Sequence, residues 1–181
     1  MSGFTLRKRI SGPAKDVTHL EVVGANSVVI QKGDVIRVNT GGFGALFTAG
    51  DLVLGIVDGV VDANGLNVTP DSGTLDTWTM ASDNQTVALK KIQYTPAIQD
   101  YLFYNDADAD LARTNLFQYF PLNDENDVDG TTGSDATINT VRLIQLDPDG
   151  DGDLSKGLFQ FVESFWAQNC MGVVDTGGIE A

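Results

Sequence analysis

Between residues 18 and 94 the chain is cut into short aliphatic runs by turn-forming residues, and this alternation constrains the fold more than any other feature. The runs cover 19–23, 27–30, 34–38, 51–57, 66–68, 75–80 and 86–94, and they are rich in Val, Ile, Leu and Thr. Between them stand GAN, KGD, NTGGFG, AGD, DANG, PDSG and SDN. Glycine reaches positive φ without penalty, and Asn and Asp tolerate it while bonding their own backbone. Many short strands at close spacing predict a mainly β chain, a compact antiparallel β-sandwich or barrel. The most distinctive stretch, AGDLVLGIVDGVV at 49–61, is a run of aliphatics broken only by Gly and Asp, so its evident task is to fold and pack.

The second half reads differently. Residues 108–121 place Ala112, Leu116, Tyr119 and Phe120 near helical spacing, with acids at the start and Pro121 at the end. Residues 123–137 form a polar, acidic loop whose one core candidate is Val128. A strand follows at 138–146. Residues 155–169 carry apolar side chains at 158, 159, 161, 162, 165 and 166, which favours an amphipathic helix over a strand. The expectation is thus a β fold with one or two short helices in the C-terminal half.

Charge is unevenly placed. Formal net charge is −14 and the isoelectric point is near 4.1, yet Arg7, Lys8, Arg9 and Lys15 all precede the first acid, Asp16. The reading is a basic N-terminal arm over 1–16, a body over 17–168 and a tail over 169–181. Within the body, 17–100 is the β core and 101–168 an elaboration. An acidic surface repels phosphate, so nucleic acid is not expected as a direct partner. No stretch approaches the roughly 20 apolar residues of a membrane span, and no apolar core of signal-peptide type follows the basic start.

Catalytic constellations are missing from the sequence. The chain has one histidine, His19, and one cysteine, Cys170, too few for zinc and far apart for a nucleophile–base pair. NTGGFGALF lacks the lysine and hydroxyl of a phosphate loop. The expectation is a non-enzyme without a cofactor. One metal candidate stands out: Asp147, Asp149, Asp151, Asp153 and Ser155 match the 1, 3, 5, 7 and 9 offsets of a calcium loop, with Gly152 at the sharp turn. Leu158 occupies position 12, where a bidentate Glu belongs, so an acidic turn is favoured over a calcium site.

The stretch from Val28 to Val61 contains Lys32, Gly33 and Asp34 leading into one strand, then Gly50, Asp51, Leu52, Val53, Leu54, Gly55, Ile56 and Val57. This resembles the small decoration proteins of bacteriophage capsids, also called head-stabilising or cement proteins. The resemblance implies a β-tulip-type fold, a homotrimer and a place on the capsid exterior of the virion, after synthesis in the host cytoplasm. It also implies the major capsid protein as partner, with Arg7, Lys8, Arg9 and Lys15 as capsid-binding residues. Phe43, Leu46 and Phe47, in the glycine-rich loop, are the candidate oligomer contacts. The alternative function is a calcium-dependent adhesion or carbohydrate-binding β-module built on the 147–155 loop.

Overall fold

In a computed structural model, the described residues are 3–10, 19–71, 76–131 and 140–166. These residues contain twelve strands: β1 (Thr5–Arg9), β2 (Leu20–Val23), β3 (Val29–Gln31), β4 (Val35–Val38), β5 (Gly44–Leu46), β6 (Gly55–Val61), β7 (Thr77–Thr79), β8 (Lys91–Pro96), β9 (Tyr101–Asp106), β10 (Tyr119–Phe120), β11 (Val141–Leu146) and β12 (Lys156–Phe161). One sheet has the order β1-β9-β12-β11-β10 and a second the order β2-β8-β6-β4-β5, with β3 and β7 as a separate ribbon. Among the described residues every strand pairing is antiparallel and no sheet closes on itself, so the architecture is a β-sandwich rather than a barrel.

The central sheet is covered on both faces around β4 and β6. Val35 and Ile56 pair across it and enter a core shared with Phe4, Phe103, Phe159 and Phe161 of the first sheet. Their neighbours Ile36 and Val57 point the other way, into a core with Ile30 and Trp78 of the ribbon. A strand buried on both faces has no polar alternation to display, and this is why 49–61 reads as nearly continuous aliphatic. Ile56, Val57, Val60 and Val61 are all within 2% of full burial. Each such side chain contributes about 1.5–3 kcal/mol from removal of apolar surface from water.

The two Gly-Asp segments meet here. Gly33 N–H donates to Val57 O at 2.9 Å, and Val57 N–H donates to Asp34 O at 2.9 Å. Gly33 has φ +95° and lies against Gly3, φ +106°, so closely that a Cβ on either would come within 3.1 Å of the other's backbone. The KGD turn needs glycine for that approach as well as for its own φ.

Several sequence expectations are corrected. Residues 156–161 are strand β12, not helix; the helical spacing arises because the four consecutive side chains from Leu158 to Phe161 are all buried. Residues 108–121 contain only the 3₁₀ turn Arg113–Asn115 and then β10. Residues 44–46 form β5, which the glycine-rich loop conceals. Residues 86–90 are not strand: Asn84–Ala88 makes a π turn whose fully buried Asn84 amide donates to the carbonyls of Gly24 and Lys90. Within the basic N-terminal segment 1–16, residues 5–9 are the outer strand of the first sheet, with Phe4 in the core beside Phe161. Lys15 and the tail 169–181 lie outside the described residues, as does Cys170.

Candidate binding surface

β1 is an edge strand made almost wholly of cationic and polar residues. It pairs with β9 through Thr5↔Tyr104, Leu6↔Phe103, Lys8↔Leu102 and Arg9↔Tyr101, and the register slips at Arg7. A bulge of this kind re-aims a side chain and blunts an edge against uncontrolled pairing. Arg7 lies over the Tyr104 ring at 4.9 Å from its centroid, and Arg9 over Tyr101 at 5.6 Å. Arg9 Nε also meets Asp100 Oδ2 at 2.9 Å. Ring and carboxylate fix where these guanidinium groups point, which lowers the entropy lost when they engage a partner. Lys8 is exposed.

Behind this strand lies an open groove of about 240 Å³ lined by Arg7, Lys8, Tyr104, Gln145, Pro148, Asp149 and Leu158. The Tyr104 hydroxyl donates to Asp106 Oδ1 at 3.0 Å. Burial first, and that bond second, push the phenol up to about 12, so it stays a neutral donor across all ordinary pH.

The 147–155 loop forms the other wall and joins β11 to β12. Asp147 accepts the amides of Asp151 and Gly152 through its two oxygens at 3.1 and 3.0 Å. Asp153 Oδ1 accepts the amide and hydroxyl of Ser155 at 3.1 and 2.7 Å. The Lys156 ammonium lies 2.5 Å from Asp151 Oδ2 and 3.3 Å from Asp153 Oδ2. The carboxylates thus serve backbone amides and an ammonium; among the described residues no three metal-ligating side chains are grouped to hold an ion. Lys156 holds the Asp151 carboxyl below its usual range, the Ser155 hydroxyl does the same for Asp153, and Lys156 itself is raised by Asp151.

The candidate oligomer contacts separate. Phe47 is 4% exposed and belongs to the core between the two large sheets, so it is not available to a second copy. Leu46 is half-buried against the ribbon-side core, and Phe43 is half-buried in the loop that Asn39 closes by accepting the Gly41 and Phe43 amides. The sequence reading missed two polar groupings. His19 Nδ1 and the Thr95 hydroxyl both meet Asp58 Oδ2, at 2.9 and 2.6 Å; Asp58 is the bulge residue of β6. Asp34, inside the KGD motif, is buried against a loop about ninety positions away. Spacing in the sequence signals neither. Comparison with protein families, with curated proteins and with solved structures returns no match.

Proposed function

We propose that this chain is a structural protein of a bacteriophage particle. It binds the outside of the assembled capsid and bridges adjacent capsomers. The observation that carries the reading is the exposed cationic edge, Arg7 and Lys8 of β1, set on a rigid sandwich of formal net charge −14. Such an edge offers backbone hydrogen bonds and charge attraction together to an acidic segment of a partner. Of the resemblance-bearing segments, the turn 32–34 enters β4 and bonds to Val57, and residues 55–57 begin β6 beside β4, so they serve the rigidity of the body instead of contacts. Binding only to the assembled lattice stabilises that lattice by mass action. A homotrimer, with the major capsid protein as partner, completes the proposal; Phe43 and Leu46 remain the residues to probe for contacts between copies.

The test mixes the purified chain with undecorated heads and follows co-sedimentation, then looks for added density at three-fold positions. Reversing charge with Arg7→Glu and Lys8→Glu is the informative variant. Deleting the first residues instead would remove an edge strand and a core phenylalanine. Loss of attachment with an unchanged melting temperature supports the assignment; heads that remain undecorated by the wild type overturn it.

A further inference from the structure

We propose that Asn64 is a self-modifying site, which closes a ring onto the Gly65 nitrogen and converts to aspartate and isoaspartate, and that Asp62 sets the pace by holding both reacting groups. The inference is independent of what the chain binds. Asn followed by Gly occurs once in the chain, at 64–65. The pair stands at the tip of the turn that ends β6, and residues 63–67 are all exposed. Attack by a backbone nitrogen on the preceding Asn side chain is hindered chiefly by a side chain on the attacking residue, and glycine has none. Gly65 has φ +82°, and no described atom lies within 4 Å of where its Cβ would stand, so neighbouring structure does not block the turn from rearranging.

The step needs no reagent but water. The Gly65 nitrogen loses its proton to solvent and attacks Asn64 Cγ; the N–Cγ bond forms, the Cγ–Nδ2 bond breaks, and the side-chain nitrogen takes up a proton and leaves as ammonia. Water then opens the succinimide at either carbonyl, which leaves aspartate or isoaspartate at 64. In the closed turn both participants are engaged. Gly65 N–H donates to Asp62 O at 3.1 Å, so the nitrogen must give up this bond before it can attack. The backbone amides of Asn64 and Leu66 donate to Asp62 Oδ1 at 2.8 and 2.9 Å, and the Asn64 side chain faces the same carboxylate. Asp62 N–H donates to Leu66 O at 2.8 Å and closes the turn. The Asp62 charge also disfavours a deprotonated nitrogen beside it. Reaction therefore waits on local opening of the turn. Its products undo the turn: aspartate places a second carboxylate beside Asp62, and isoaspartate lengthens the backbone by a carbon between Asp62 and Leu66. The bridge from Asn67 to Val61 at the end of β6 then loses its register.

Peptide mapping by mass spectrometry tests this on the full chain, held in warm, mildly alkaline buffer beside a synthetic peptide of residues 58–70. The mass gain of amide-to-carboxyl exchange is expected at Asn64 in the folded chain, slower than in the peptide by on the order of tenfold. Asp62→Ala is expected to bring the folded chain several-fold closer to the rate of a peptide carrying the same change, and Asn64→Gln to abolish the product. A folded chain unchanged at Asn64 after the peptide has converted fully overturns the site. Equal rates in wild type and Asp62→Ala, or in chain and peptide, overturn the hold by Asp62. Should Asp62→Ala not fold, urea below the unfolding midpoint of the wild type decides. A rate that climbs with urea supports control by turn opening, and a rate indifferent to it overturns that control.

Discussion

A Cβ added at Gly55 would lie 2.4 Å from the carbonyl oxygen of Thr95 and equally close to the Tyr94 ring. Gly55 opens β6 directly against β8, where its partner is Pro96, and neither obstacle is a flexible side-chain end. Backbone must therefore move to admit even a methyl group. Gly55→Ala is expected to cost about 3 kcal/mol or more, seen as a large fall in the urea midpoint or as insoluble protein. Gly59, four positions along the same strand, is the control, since its Cβ would meet nothing nearer than Gln93 Oε1 at 3.6 Å. Gly59→Ala should stay within about 1 kcal/mol of wild type.

Phe4 decides whether the basic start is an appendage or part of the body. Its ring packs 5.0 Å from Phe161, and Phe161 in turn stacks edge-on against Phe103 at 5.4 Å. Phe4→Ala is expected to destabilise by about 3–5 kcal/mol, the range for a large core cavity. An unfolding midpoint that does not move would mean that β1 detaches without cost.

How much of this was legible beforehand depends on whether local chemistry or distant packing made the decision. The turn DANG is settled by local residues: Asp62 Oδ1 accepts the amides of Asn64 and Leu66, and Gly65 takes φ +82°. The end of β6 at Val61 was therefore readable, although the expected strand at 66–68 is only an isolated bridge from Asn67 to Val61. β12 was not, because Leu158 and Gln160 on one side and Phe159 and Phe161 on the other are all buried, which erases the period of two. The basic cluster was plain in composition, but its place in a sheet depends on β9, some hundred residues away. In the sequence Asp34 reads only as part of a turn; its burial depends on Glu125 and Asn126, to which no local pattern points.

Lys156 predicts the response to calcium. Its ammonium lies between Asp151 and Asp153, the residues a calcium loop would use at positions 5 and 7. A divalent ion would have to displace it and also take the Asp147 oxygens from two backbone amides. Adding or chelating millimolar calcium should therefore shift the wild-type melting temperature by less than about 1 °C. A rise of several degrees on adding calcium would contradict the hairpin geometry. Lys156→Gln removes the competing cation, and only that variant is expected to gain measurable calcium binding by calorimetry.

The pH dependence of stability has two flanks of opposite sign. Asp34 has a carboxyl raised from 3.8 to about 6 in the fold, mainly by burial. Folding therefore favours its protonated form: its contribution is complete below about pH 4 and is lost as pH rises through about 6. Asp127, also raised chiefly by burial, acts in the same direction. Asp62, Asp151 and Asp153 are held below 3.8, by the Leu66 amide, Lys156 and the Ser155 hydroxyl respectively, so their smaller, solvent-screened contributions are present above about pH 4 and fade below it. The excess of acids adds to the neutral-side loss, because self-repulsion grows as pH moves up from the isoelectric point near 4.1. Melting temperatures measured in dilute solution should consequently peak between about pH 4 and pH 6. Asp34→Asn should raise the value at about pH 8 by several degrees while leaving the acid flank in place, consistent with a shift of about two pKa units being worth up to about 3 kcal/mol. A wild-type maximum above about pH 7 would mean that the buried acid is compensated by a cation, and that Asp34 does not set the neutral flank.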